Sequence, residues 1–261
     1  MPLTPDGGGG RVRLDRALVQ RGLAPSRAQA RDLIKRGLVE LAGKVEKRTA
    51  AGVAAHDAVA VVQPGSDRAA GRRSYVSRGA DKLAAALEHF GFPVAGVVAL
   101  DIGASTGGFT ELMLERGARR IYAVDVGRGQ LHARLTGLPA VVSLEGCDAR
   151  RLDATLIPEP IDAIVADVSF ISLVKALPAA LALARSPAWL IALIKPQFEA
   201  GRAAVGKGGI VRDPGARQAA IELVRAWLAG QAGWRVVGVL PSPIPGGSGN
   251  QEFLIGAVHG H

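Results

Sequence analysis

The chain reads as an α/β protein in two parts: a mostly parallel seven-stranded sheet with helices on both faces, preceded by a small N-terminal α+β domain. Three observations predict this. Apolar runs of strand length at 97–102, 120–126, 141–144, 161–168, 189–195, 235–240 and 253–258 alternate with helical stretches, the pattern of crossover units in a parallel sheet. The last two runs have no helix between them, which implies an antiparallel closing hairpin. The first third differs in charge, with 11 basic against 6 acidic side chains in residues 1–63.

The small domain is expected over 11–62. Leu14, Ala17, Leu18 and Arg21 keep helical spacing and Gly22 closes that helix. Pro25 and Ser26 open a second helix, with Ser26 and Gln29 at capping-box spacing and Gly37 as terminator. Its core face is Ala30, Leu33 and Ile34, while Arg27, Arg31 and Lys35 recur every four residues as a basic stripe. Short strands follow at 38–41, 44–45 and 58–62 around the turn Ala42-Gly43. Residues 63–74, with Pro64, Gly65, Gly71, Arg72 and Arg73 and few large apolar side chains, read as a linker. The large domain is expected over 75–258, with helices at 81–90, 110–116, 173–184 and 214–229.

Bulk composition excludes several classes. At 261 residues, 48% hydrophobic and 21% charged, the chain has the make-up of a globular protein with a sizeable core. A single cysteine, Cys147, rules out an intramolecular disulfide and a cysteine-cluster metal site. It fits a reducing cytoplasm, and five scattered histidines give no ligand spacing, so no metal is expected. No run approaches the roughly 20 apolar residues of a membrane span. The start, with its Gly7 to Gly10 run, reads as a disordered tail rather than a secretory signal. The net charge of +9 is concentrated in the first third, the footprint of a polyphosphate partner.

The run RLDRALVQRGLAPSRAQARDLIKRGLVELAGK resembles the small RNA-binding S4 fold, named after a small-subunit ribosomal protein. That resemblance implies that the second helix docks on structured RNA. Arg11, Arg13, Arg27, Arg31, Lys35, Arg72 and Arg73 are the expected RNA contacts.

A cofactor site is expected at the end of the first large-domain strand. There Asp101 is followed by Gly103, Ala104, Ser105, Thr106, Gly107, Gly108 and Phe109 before a helix, and small residues let backbone approach a ligand. The dinucleotide fingerprint G-x-G-x-x-G is not met, because Ser105 holds the second glycine position. A nicotinamide enzyme is therefore disfavoured, whereas S-adenosylmethionine needs no pyrophosphate cradle. Asp125, about 20 residues beyond the turn at the end of the next strand, is placed to accept from ribose hydroxyls. Asp101 is expected at a methionine ammonium. Asp148 is either an acceptor for the adenine amino group or the N-cap of the segment that starts at Ala149.

The motifs DIGASTGGFT, DVSFISL, KPQFEAGR, GKGGIVRDP and GNQEF, in this order and together with the N-terminal module, resemble the FtsJ-like ribose methyltransferases and most closely the TlyA family. The resemblance covers nearly the whole chain. It implies a Rossmann-like methyltransferase sheet and S-adenosylmethionine-dependent 2′-O-methylation of cytidine in ribosomal RNA, with ribosomal subunits as partners. It also implies catalytic roles for Lys82, Asp167, Lys195 and Glu252.

The residue types suit that chemistry. A ribose hydroxyl is a weak acid whose proton must be removed or shared as oxygen attacks a methyl group. Lys195 ends an apolar strand and is followed by Pro196, so it faces the ligand edge of the sheet. It either takes the proton or holds the hydroxyl and stabilises developing alkoxide. Asp167 holds Lys195, Lys82 positions ribose or a neighbouring phosphate, and Glu252 fixes a lysine. Residues 196–214, rich in glycine and charge, are expected to form a loop over the substrate, with Phe198 either stacking on an extruded base or packing on the sheet. The rival readings are a non-catalytic RNA-binding assembly factor and a haemolysin-like membrane-active protein.

Overall fold

The structure, a computed structural model, describes residues 11–35, 37–61, 75–247 and 249–260. The expected N-terminal tail and the whole expected linker, 63–74, with Arg72 and Arg73, lie outside the described residues, as does Ser248. The chain divides into two compact units, Met1–Pro64 and Gly65–His261.

The first unit contains β1 (Val12–Arg13), α1 (Leu14–Gln20), α2 (Arg27–Lys35), β2 (Val39–Leu41), β3 (Lys44–Val45), β4 (Gly52–Val53) and β5 (Val59–Val61). The strands form a three-stranded sheet in the order β3-β2-β5 and a separate β1–β4 pair. Both helices turn their apolar faces inward: Leu14, Leu18, Ala30, Ile34, Val39 and Val53 make the core. The Gln29 amide donates to Ser26 Oγ at 3.2 Å, so the cap read from the sequence is formed. Strands β2, β3 and β5 lie at the expected 38–41, 44–45 and 58–62, while the β1–β4 pair is new, since no apolar run marks either of its strands.

The second unit contains α3 (Gly79–Phe90), β6 (Val98–Ile102), α4 (Gly108–Glu115), β7 (Arg120–Asp125), β8 (Val141–Glu145), β9 (Ile161–Ala166), α5 (Leu173–Ala176), α6 (Pro178–Ala182), β10 (Ala184–Ile194), α7 (Pro196–Glu199), α8 (Pro214–Ala229), β11 (Trp234–Pro241) and β12 (Phe253–His259). One seven-stranded sheet runs β11-β12-β10-β9-β6-β7-β8. β6 is parallel to β7 and β9, and β12 is antiparallel to both β10 and β11. The expected closing hairpin is therefore present, and β12 is inserted beside β10. Strand order reverses on either side of β6, which opens a crevice at the carboxyl ends of the parallel strands.

Successive residues of β6 serve opposite faces, as the pleat requires. Val98, Leu100 and Ile102 join one core cluster with Ile164, Leu190 and Val224. Ala99 joins the other with Leu83, Phe109, Met113 and Ile191. Each such buried aliphatic side chain contributes about 1.5–3 kcal/mol relative to exposure. That packing makes the sheet a rigid platform for its strand ends.

Two expected elements differ. The helix read over 173–184 is split into α5 and α6 by Pro178, whose ring and missing N–H interrupt a continuous helix. Its last residue, Ala184, instead begins β10. The 196–214 segment holds the short α7, which starts with Pro196 at its first position, where a missing N–H costs nothing.

Candidate active site

Three strand ends and one helix bring the polar residues together. Asp167 follows β9 and Lys195 follows β10, whose Ala166 and Ala192 are neighbours in the parallel ladder. Glu252 precedes β12, and Ile194 is paired with Phe253. Because β12 is antiparallel, its first residue lies at the same sheet edge as the last residue of β10. Lys82 comes from α3, which packs Ala80, Leu83, Ala86 and Leu87 onto the sheet.

The result is two ion pairs. Lys195 Nζ lies 2.5 Å from Asp167 Oδ1 and donates to Ser169 Oγ at 2.9 Å. Lys82 Nζ donates to Glu252 Oε2 at 2.5 Å. Lys82 and Lys195 are each 8% exposed and Glu252 is 3% exposed. Charges this deep persist only when paired, and two cations against two carboxylates leave the set neutral. Ser169 has no motif signal of its own beyond its place after Asp167.

The glycine turn is bound to β7. Gly103 and Ala104 amides both donate to Val124 O, and the Ser105 amide donates to Asp125 Oδ2 at 2.9 Å. Gly103 has φ +81°, and a Cβ there would meet Asp167 O at 2.7 Å, so this contact excludes any side chain. Ser105 itself adopts φ +49°, a left-handed conformation uncommon outside glycine. Gly103, Ser105 and Thr106 are partly accessible, whereas Ala104, Gly107, Gly108 and Phe109 are buried. The Phe109 ring belongs to the core beneath α3, so its side chain is not part of the ligand surface.

Asp101 is fully enclosed. Its Oδ2 accepts from Thr110 Oγ1 at 2.6 Å, and its Oδ1 has no hydrogen-bond partner. Burial pushes its carboxyl up to about 7, against the opposing pull of the Thr110 hydroxyl. Asp125 is also raised by burial, although the Gly127 and Ser105 amides favour its charged form. Glu145, at the end of β8, accepts from the amides of Gly129, Gln130 and Leu131 and so shapes the loop after Asp125. Asp148 takes the capping alternative: it accepts from the Arg150 amide at 3.0 Å and pairs with the Arg150 guanidinium at 2.5 Å. That pair holds its carboxyl below the usual range.

The flanking loops are tied in. Glu199 accepts from Ser172 Oγ at 2.5 Å and from the Leu173 amide at 2.8 Å, joining α7 to α5. Asn250 is 1% exposed; its Oδ1 accepts from the Val211 amide at 2.9 Å and its Nδ2 donates to Gly209 O at 2.8 Å. The glycine-rich segment is thereby fastened two residues before Glu252. Phe198 packs against Phe170 with ring centroids 5.2 Å apart. Phe170 is 49% exposed at φ +67°, an outlier for so bulky a residue.

In the first unit, Arg13, Arg27 and Arg31 all meet Asp15, while Arg11 and Lys35 are exposed. Asp15 was not among the residues expected to matter. Among the described residues no group of three His, Cys, Asp or Glu is arranged to hold a metal ion.

A sheet of this order, with a glycine turn after its first strand and paired lysines at its carboxyl edge, defines an α/β methyltransferase. The comparisons agree. The family model for the FtsJ-like methyltransferase matches residues 75–258, and that for the S4 domain matches residues 12–59. The chain is 47% identical over 245 residues, 94% of its length and 89% of the relative's, to the 16S/23S rRNA (cytidine-2′-O)-methyltransferase TlyA of Mycobacterium tuberculosis. It is 38% identical to Hemolysin A of Brachyspira hyodysenteriae, covering 93% of this chain and 98% of that one. A solved structure described as a hemolysin from Streptococcus thermophilus superposes with TM-score 0.69 at 36% identity, covering 97% of this chain and 90% of that one. The chain belongs to the TlyA family of FtsJ-like methyltransferases carrying an S4 domain.

Proposed function

We propose that this protein transfers the methyl group of S-adenosylmethionine to the 2′-hydroxyl of a cytidine in ribosomal RNA, of the small subunit, the large subunit or both. The observation that carries this reading is the Lys195–Asp167 pair beside the Lys82–Glu252 pair at the carboxyl edge of the sheet. The name and 47% identity of the mycobacterial relative support it.

The residues fit the cofactor. The unpartnered buried Oδ1 of Asp101 suits a cationic neighbour such as the methionine ammonium, directly or through water. Each Asp125 oxygen already accepts one amide and retains a lone pair for a ribose hydroxyl. When bound, S-adenosylmethionine supplies an electrophilic methyl group on a sulfonium centre.

The chain's own residues then orient the hydroxyl. An ammonium has three N–H donors, and Lys195 uses two, on Asp167 and Ser169. The third is available to the ribose oxygen, holding it in line and stabilising negative charge as it develops. The Asp167 carboxylate would accept the proton that the hydroxyl loses on methylation and pass it to water. Lys82, fixed by Glu252, keeps two donors for a neighbouring ribose or phosphate oxygen. Phe170 and Phe198 offer an aromatic face to a base drawn out of a stack.

The S4 unit supplies the RNA grip, which should weaken steeply with salt. Nothing in the site favours a membrane-active reading, and among the described residues no helix is long and apolar enough to cross a membrane. The test is transfer of labelled methyl from S-adenosylmethionine to purified 30S and 50S subunits, with the product nucleoside identified. Label on a cytidine 2′-oxygen is the expected result. Cofactor binding without label on either particle or on free RNA would instead favour the assembly-factor reading.

A further inference from the structure

The first unit closes on a buried carboxylate that methyl transfer does not use. Asp15, in the first turn of α1, is fully enclosed. Arg13 Nε lies 3.1 Å from its Oδ1, while Arg27 Nη2 and Arg31 Nε lie 3.1 and 3.0 Å from its Oδ2. The three guanidinium side chains nevertheless remain 46%, 47% and 48% exposed. The carboxyl is held far below its usual range: burial opposes ionisation, and hydrogen bonds from Arg13, Arg31 and Arg27 overcome it.

Fold stability does not account for this arrangement. One arginine neutralises one carboxylate, and a second and third bring like charges together at a cost. The surplus is two positive charges on one half-exposed surface. Each guanidinium has five N–H donors in a planar fork; Arg27 and Arg31 each give one to Asp15, and Arg13 gives two. Among the described residues most of these donors have no other partner, and their directions are fixed from behind. Planar forks with fixed directions match phosphate oxygens two at a time.

We propose that Asp15 is a positioning residue that orders Arg13, Arg27 and Arg31 into a rigid triad reading closely spaced phosphates on folded RNA. This rests on the reading that the S4 unit binds RNA. It carries a consequence opposite to charge counting. Deleting a negative charge from a basic RNA-binding surface should tighten binding to any polyanion, whereas here it releases the three arginines and weakens binding to a folded target.

The test compares full-length wild type and Asp15→Asn on folded 23S or 16S transcripts and on unstructured poly(U), over a range of salt. Affinity for folded RNA should fall about tenfold, the scale of one charge-assisted hydrogen bond, with no fall on poly(U). The salt slope on folded RNA should become shallower by about 1–2, as for the loss of two phosphate contacts. A purely structural role would leave that slope unchanged in the folded protein. Equal or tighter binding of Asp15→Asn to folded RNA overturns the proposal. If Asp15→Asn does not fold, the Arg27→Lys/Arg31→Lys double variant decides. It keeps every charge but loses the forks, so wild-type affinity in it overturns the proposal and a similar loss supports it. A wild type that binds no folded RNA removes the underlying reading instead.

Discussion

Ile194 and Phe253 are partners in the antiparallel ladder, and Lys195 and Glu252 are the next residues outward on their two strands. Antiparallel insertion of β12 thus places residues 57 positions apart at one edge, on a rigid sheet rather than a free loop. Sites held by strand ends keep their geometry better than sites on loops alone.

The Lys82–Glu252 pair is expected to behave as a buried unit. Glu252→Gln leaves the Lys82 ammonium, 8% exposed, without its countercharge, at a cost of about 3–5 kcal/mol in unfolding free energy. Adding Lys82→Met should restore most of that stability while methyl transfer stays lost. Urea unfolding and activity, measured on both variants, check this. Full activity in the double variant would make the pair merely structural.

Ser169 is the second acceptor of the Lys195 ammonium. Ser169→Ala should let that side chain wander and lower kcat about tenfold, the scale of one hydrogen bond to a charged group. Cofactor affinity should not change. A raised KM with unchanged kcat would place Ser169 in substrate binding instead.

Asp101 gives a pH signature. Its folded carboxyl is raised to about 7 from 3.8, so the folded protein holds a proton that the unfolded chain has released. That contribution to stability is complete below the unfolded value and is lost as pH rises through about 7. Asp125 and Glu199, also raised by burial, act in the same direction. The urea midpoint should therefore fall between about pH 5 and pH 8, and fall less in Asp101→Asn. A cationic ligand favours the ionised carboxylate, so S-adenosylmethionine affinity should rise over the same window in wild type and not in the variant.

Asn250 uses both ends of its amide on the segment that precedes α8. Asn250→Ala should cost about 1–3 kcal/mol, as expected when buried amide and carbonyl partners are left unpaired. It should also increase hydrogen exchange at Val211, whose amide donates to Asn250 Oδ1. Unchanged protection there would show that the glycine-rich segment is held by other contacts.

The sheet was legible because its apolar runs are long and separated by turn residues; each of the seven runs is a strand, with β10 starting earlier than its run, at Ala184. Among the shortest elements, β2, β3 and β5 lie at the expected 38–41, 44–45 and 58–62 around the Ala42-Gly43 turn, whereas β1, β4 and α7, which no apolar run marks, were not legible. Motif order named Lys82, Asp167, Lys195 and Glu252, and the fold gathers these four into two ion pairs at one sheet edge. Side-chain direction was less legible: Phe109 follows the glycine turn yet faces the core, while Asp148 makes the N-cap that was one of its two expected roles. The Asp15 cluster joins residues from β1, α1 and α2. In sequence, Arg27 and Arg31 show as a basic stripe expected to meet RNA, and their shared partner is hidden because the carboxylate beneath them sits on another helix.

The central claim is that Lys195 acts on the reacting hydroxyl and not on cofactor binding. Single-turnover methyl transfer to ribosomal subunits by wild type and Lys195→Ala, with S-adenosylmethionine affinity measured on the same preparations, tests it most directly. The expected result is a rate lower by about 10²–10⁴-fold in Lys195→Ala, with cofactor affinity unchanged. A variant that transfers methyl at the wild-type rate would contradict the account.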